Sequence, residues 1–377
     1  MKWLYRTAAA FSAAVLFLSV CAAAPSDSAK CAILMDADTG RILYAKRSDE
    51  RSLIASTTKI MTAIVVLEHC DPEEKYEIPP EATGVEGSSV YLQAGERLKI
   101  RDLLYGMMLH SGNDAAAALA LACSDSVPEF VDLMNLKAQQ LGLHNTHFEN
   151  PSGLDGEEHY STAADLARLT RYALKNPDFA EIVSTKSIRI GERSFTNHNK
   201  LLWSLDGAIG VKTGYTKAAG RILVSAAERN GRRLIAVTIS DGNDWQDHKN
   251  LYDYGFAQYP ERVLISAGED VGWVDCIDGS RAYLTAGEEI SYPAYENENV
   301  RVTVVYPKIC FAPGTAGTPA GHGLVTIGDR EIGTVTLLWK GRTDDVRTDT
   351  EDPLRAWHRL APHGREAPAG RQDHGER

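Results

Sequence analysis

This sequence is short of basic charge, of cysteine and of long apolar runs. It carries 40 Lys and Arg against 51 Asp and Glu, a formal net charge of −11. It therefore lacks the positive surface that a phosphate backbone requires, and nucleic acid is excluded as a partner. One of its 6 cysteines, Cys21, lies close to the start. The others, Cys31, Cys70, Cys123, Cys276 and Cys310, are odd in number and have no C-x-x-C spacing, so neither a zinc site nor a disulfide framework is implied. Most read as small buried hydrophobes, with Cys276 and Cys310 the pair close enough in one region to suggest a bridge. There is no H-E-x-x-H arrangement of histidines for a metal and no G-x-S-x-G elbow for a Ser–His triad, so neither metal nor cofactor is expected.

The apolar run from Ala8 to Val20 is short for a membrane span. Lys2 and Arg6 precede it and Ala22-Ala23-Ala24 follow it, the order of a secretory leader over residues 1–24, with the mature chain beginning near Pro25. A competing reading lipidates Cys21, although Val20 stands where a small residue belongs. The expectation is an exported protein, acting at the cell wall or the outer face of the cytoplasmic membrane, or secreted. With 377 residues, 44% of them hydrophobic and 24% charged, the chain can fill two folded domains.

Beyond the leader, Cys31 to Asp36 and Arg41 to Ala45 read as a β-hairpin across Ala37-Asp38-Thr39-Gly40. A helix buried on most sides starts at Ser56 and runs through Ile60, Met61, Ile64, Val65 and Leu67. Turn-rich sequence fills 71–97. Helical periodicity then covers Ile100 to Leu109, Asp114 to Ala122, Pro128 to Leu141 and Ala163 to Leu174, with Ser111-Gly112-Asn113 as a loop between the first two. The period turns strand-like at Ile209 to Tyr215. Ile222 to Ala227 pairs with Leu234 to Ser240 across Asn230-Gly231, and Asp247 to Tyr259 is helical. Strands, a block of helices and strands again describe an α+β domain over 25–261 whose antiparallel sheet joins both ends of the segment. A small all-β domain is expected over 262–343, with a Gly/Pro-rich loop from Ala312 to Gly323, and then a polar, disordered tail over 344–377. In that tail Leu354, Trp357 and Leu360 make an amphipathic patch too short to hold a membrane firmly, which leaves membrane contact open.

Three short motifs carry the chemistry. Ser56-x-x-Lys59 at a helix start puts a hydroxyl and an amine one turn apart, a nucleophile beside a base. Alone it is no more than a helix cap followed by a solvated lysine. Ser111-Gly112-Asn113 on an inter-helix loop and Lys212-Thr213-Gly214 on a strand make the set specific. A lysine ordinarily near pKa ~10.4 serves as a base only if its neutral form is accessible, and bringing it to neutrality costs roughly 4 kcal/mol. Burial and a second cation can supply that, and Lys212 is the candidate cation. Ser111 would relay a proton to the leaving amine, and the Asn113 amide would hold the substrate backbone. Lys212 and Thr213 would receive a terminal carboxylate. Gly214, lacking a side chain, would let a peptide lie against the strand edge. His198 is a lesser candidate for the cleft. His110, beside Ser111, invites a Ser–His reading that the lysines make unnecessary.

On these motifs the sequence resembles the low-molecular-weight penicillin-binding proteins that are serine-type D-alanyl-D-alanine carboxypeptidases. The resemblance extends to Met35-Asp36-Ala37-Asp38-Thr39-Gly40, Glu149-Asn150-Pro151-Ser152-Gly153-Leu154-Asp155, His159-Tyr160-Ser161-Thr162-Ala163 and Asn197-His198-Asn199-Lys200-Leu201-Leu202. It implies the penicillin-binding, β-lactamase-like transpeptidase fold followed by that family's second domain. It also implies a peptidase that trims the terminal D-alanine from peptidoglycan stem peptides and is acylated by β-lactams, with an oxyanion hole from the backbone N–H groups of Ser56 and Tyr215. Two alternatives stand beside it: a β-lactamase and a non-catalytic wall-binding relative. Against the first, the chain has Ser-Gly-Asn rather than Ser-Asp-Asn, and none of Glu149, Glu157 and Glu158 has the context of a deacylating base.

Overall fold

The computed structural model describes residues 24–295, 302–305, 309–311, 313–327 and 330–343. The leader, Cys21, and the tail with Leu354, Trp357 and Leu360 lie outside them. The chain divides into two compact units, one ending at Gln258 and the other beginning at Tyr259.

The first unit is built on a hairpin of β1 (Cys31–Asp36) and β2 (Ile42–Lys46). The Asp36 carboxylate accepts from the Thr39 N–H and hydroxyl, and Gly40 takes φ +70° to close the turn. Two short pairs follow along the chain, β3 (Lys75–Glu77) with β4 (Arg97–Lys99), and β5 (Ser187–Ile190) with β6 (Arg193–Thr196). The long strands β7 (Ala208–Thr216), β8 (Gly220–Arg229) and β9 (Arg232–Ile239) complete a five-stranded sheet, order β2-β1-β9-β8-β7, antiparallel throughout. Asn230 and Gly231 turn β8 into β9 with positive φ at both, as the Asn-Gly signal requires. Among the described residues β2 and β7 are the edge strands of this sheet.

Between these strands come the helices α1 (Lys59–His69), α2 (Ile100–Leu109), α3 (Asn113–Cys123), α4 (Val127–Gln140), α5 (Ala163–Ala173), α6 (Pro177–Ser184) and α7 (Leu201–Ser204), and after them α8 (Asp244–Gln258). Ser126, Thr162 and Asn176 cap α4, α5 and α6 by accepting the N–H three residues on. Cys31, Ile33 and Met35 of β1 join the helical core, which α1 crosses with Lys59 to Val66 all buried. Leu34 points the other way, to α8, where a Cβ on Gly255 would fall 2.5 Å from Leu34 Cδ2, so glycine sets the approach. With helices on both faces, β1 is buried along its whole length.

Among the described residues the second unit is all β. Its strands β10 (Glu261–Ile265) and β13 (Ile290–Pro293) pair with each other. The others form a six-stranded sheet ordered β14-β16-β17-β12-β11-β15. These are β11 (Asp270–Cys276), β12 (Arg281–Ala286), β14 (Val302–Val305), β15 (Ile309–Cys310), β16 (Pro319–Ile327) and β17 (Arg330–Thr343). The loop expected from Ala312 to Gly323 is half wrong, because β16 begins at Pro319. Gly323 obscured it: a Cβ there would lie 2.3 Å from Val304 Cγ1, so the strand needs a residue that reads as a loop former.

The cysteines also differ from expectation. Cys70 and Cys123, 53 residues apart, form a disulfide that joins the C-terminal ends of α1 and α3. Cys276 and Cys310 face each other across the parallel β11–β15 pair as free thiols, with their sulfurs 3.3 Å apart. Spacing carries no connectivity, and only folding brings the ends of α1 and α3 together. Among the described residues no helix is long and apolar enough to cross a membrane, and no cluster of three or more His, Cys, Asp or Glu could hold a metal ion.

Candidate active site

A short 3-10 turn, Ala55–Thr58, delivers the chain into α1, and Ala55 adopts φ +45°, unusual for a residue with a Cβ. Ser56, second in this turn, is half-exposed, and among the described residues its N–H has no backbone partner. Lys59, one turn on, is completely buried. Its Nζ lies 3.1 Å from Ser56 Oγ, 2.7 Å from Asn113 Oδ1 and 2.5 Å from the Ser152 carbonyl oxygen. Burial pushes its pKa well below the ordinary lysine value, and the charge of Lys212 pushes the same way, against a smaller opposing pull from Asp114. Lys212, 1% exposed on β7, is itself lowered to about 7 by burial and donates to the Thr213 carbonyl at 2.9 Å.

Ser111 and Asn113 arrive on the link between α2 and α3. Ser111 sits at φ +67° and is buried. Among the described residues its hydroxyl has no hydrogen bond to Ser56, Lys59 or Lys212. Asn113 opens α3 and is held from both sides: its Nδ2 donates to the Glu86 carbonyl at 2.6 Å and its N–H to the Ser88 carbonyl at 2.7 Å. That fixes Oδ1 toward Lys59. On β7, Gly214 packs against the nucleophile turn, where a Cβ would come within 3.2 Å of Ile54 O and 3.3 Å of Ser56 N. Thr213 is half-buried and Tyr215 exposed.

His198 is exposed, and its ring packs on His110 with centroids 5.2 Å apart. Desolvation of the ring, with Lys212 and His110 nearby, holds its pKa below the usual imidazole range. His110 itself lies against Phe195 and His198 rather than serving Ser111.

Two further groups at this site lie outside the three short motifs. Asp114 is buried and collects the N–H groups of Val90 and Leu92 and the Ser89 hydroxyl. It thereby braces the segment whose Glu86 and Ser88 carbonyls hold Asn113. The other is the Ser152 carbonyl, a main-chain atom on the Asn150-to-Asp155 loop.

A family model described as D-alanyl-D-alanine carboxypeptidase, peptidase S11, matches residues 19–243. The chain is 35% identical over 287 residues to D-alanyl-D-alanine carboxypeptidase DacF of Bacillus subtilis, covering 72% of this chain and 74% of that protein. It is 35% identical over 326 residues to DacC of Escherichia coli, covering 79% and 80%. Among solved structures, penicillin-binding protein 5 of Haemophilus influenzae superposes with a TM-score of 0.69 at 29% identity, over 84% of this chain and 98% of that one. The Streptomyces K15 DD-transpeptidase gives 0.58 at 36% identity, over 62% and 98%.

Proposed function

Because the chain belongs to the D-alanyl-D-alanine carboxypeptidase family, we propose that it removes the terminal D-alanine from peptidoglycan stem peptides through an acyl-enzyme on Ser56. The observation that carries this is the set of contacts around the Lys59 amine. A neutral amine has two N–H donors and one lone pair. The Ser152 carbonyl and Asn113 Oδ1 can only accept, so they take both donors, and the lone pair is left for the Ser56 hydroxyl. Ser56 then gives its proton to Lys59 as its oxygen attacks the scissile carbonyl.

The oxyanion that forms would be met by the N–H groups of Ser56 and Tyr215, with Gly214 letting strand and substrate lie close. Lys212 and Thr213 receive the terminal carboxylate, the Asn113 amide the substrate backbone, and His198 the rim of the cleft. The Lys59 proton passes through Ser111 to the leaving D-alanine amine, and water hydrolyses the ester. β-Lactams enter the same path and stop at the ester. Action outside the cytoplasm fits a cell-wall substrate. The leader over 1–24, the domains over 25–261 and 262–343, and the tail over 344–377 belong to the same proposal.

Incubation with a pentapeptide ending in D-alanyl-D-alanine tests it. Release of D-alanine is expected, with none from Ser56→Ala. No release, or a Ser56→Ala protein equal to wild type, overturns the enzyme reading in favour of a non-catalytic wall-binding relative. Intact mass after penicillin should show a long-lived adduct on Ser56, whereas rapid penicillin turnover would make the protein a β-lactamase.

A further inference from the structure

We propose that His159 is a positioning residue for Lys59: it ties the loop bearing the Ser152 carbonyl to the turn bearing the nucleophile. The proposal rests on the Ser56 acyl-enzyme reading and adds a residue that touches neither substrate nor the reacting atoms. His159 is 1% exposed and lies behind the site. Its Nε2 is 2.8 Å from Thr58 Oγ1, the residue next to Lys59. Its Nδ1 receives the Glu149 N–H at 3.1 Å. A backbone N–H can only donate, so Nδ1 must be the unprotonated nitrogen, and Nε2 carries the proton and donates to Thr58.

This single imidazole links two segments that lie far apart in the chain, Thr58 and His159 being 101 positions apart. One side is the Thr58–Lys59 turn. The other is the loop after Glu149, which Asn150 organises by accepting from the N–H groups of Ser152, Gly153 and Leu154. The loop returns three contacts to the nucleophile turn and helix. Ser152 O accepts from Lys59, Pro151 O accepts from the Thr62 hydroxyl at 2.6 Å, and Gly153 lies flat on the Ala55 carbonyl. The Ser152 oxygen is one of the two acceptors that leave the Lys59 lone pair facing Ser56, so a drift of the loop frees an N–H to turn toward the hydroxyl. A base with an N–H in that direction cannot accept a proton.

The test uses the full chain. Nitrogen NMR of the wild type should show His159 as the neutral Nε2–H tautomer. His159→Leu and Thr58→Val should each slow penicillin acylation on the order of 10- to 100-fold, with binding before acylation unchanged. The double variant should be no slower than the worse single one, because both break one link. His159→Gln, whose amide can donate to Thr58, should recover much of the rate, and it and Thr58→Val carry the test if His159→Leu does not fold. An Nδ1–H tautomer, full acylation rate in a folded His159→Leu protein, or additive losses would overturn the proposal. A wild type that penicillin never acylates would overturn the acyl-enzyme reading instead. His159 would still be tested by its tautomer and by the carbon NMR titration of Lys59, which must differ between wild type and His159→Leu for the proposal to survive.

Discussion

Lys59 and Asn113 meet at 2.7 Å, each from the first residue of an 11-residue helix. At the far ends of the same two helices Cys123, the last residue of α3, is joined covalently to Cys70, the residue just after α1. The buried lysine and its amide partner therefore stand on two helices pinned at both ends. Such a pairing suits a site whose donors must be aimed before substrate arrives, since rigid elements hold geometry better than loops.

Replacing Lys59 by Arg keeps a positive charge and removes the neutral amine, because a guanidinium does not give up its proton. Acylation by penicillin should fall by about 10²- to 10⁴-fold, the usual worth of a general base. Labelling with a fluorescent penicillin measures it, and labelling at the wild-type rate would mean that another group deprotonates Ser56.

Gly153 adopts φ +89°, and a Cβ there would sit 1.9 Å from the Ala55 carbonyl oxygen and 2.9 Å from Thr58 Oγ1. Gly153→Ala must push the loop off the nucleophile turn or strain both. Expected are a loss of stability on the order of 2–4 kcal/mol and slower acylation even where the protein remains folded. Thermal melts and acylation rates read the two separately. A variant with wild-type values in both would show that the loop and turn separate freely.

The letters of the candidate site were legible because side chains carry them: Ser56 and Lys59 fall at a helix start, Ser111 between two helices and Lys212, Thr213 and Gly214 on a strand, as their flanking periodicities indicate, while Asn113, expected in the loop, is the first residue of α3. What surrounds them was not. The Ser152 acceptor is a main-chain oxygen, and every residue has one. Asp114 and His159 act through partners 24 and 101 positions away, Val90 and Thr58, which no local pattern connects. The hairpin of β5 and β6 alternates too briefly to stand out, and Gly323 disguised β16. The Cys70–Cys123 bridge depended on the packing of α1 with α3, so no spacing rule could have favoured it over Cys276 with Cys310.

That bridge should stabilise the first unit by about 2–5 kcal/mol, chiefly by restricting the unfolded chain. It lies away from the hydroxyl and amines of the site. Cys70→Ser with Cys123→Ser should therefore lower the melting temperature while acylation at 25 °C stays near wild type. An equal melting temperature would show that the bridge does not form in the protein, whereas lost acylation in a folded variant would show that it tunes the site directly.

Lys212 makes stability depend on pH in a definite direction. Its pKa is about 7 when folded and returns to the ordinary 10.5 when the chain unfolds. Between those values the unfolded state binds more protons than the folded one, so stability rises with pH across the window. Lys59, lowered by burial and by Lys212, acts with the same sign. Below pH 7 the penalty of holding a buried charge is fully present, and it disappears as pH climbs toward 10.5. Lys212→Met should remove this lysine's share, so the melting temperature of wild type relative to the variant should improve steadily from pH 7 to pH 10. A constant difference would mean that Lys212 keeps its ordinary pKa. Acylation by penicillin should also rise on the acid side as Lys59 loses its proton, and an acid-side rate independent of pH would remove Lys59 as the base.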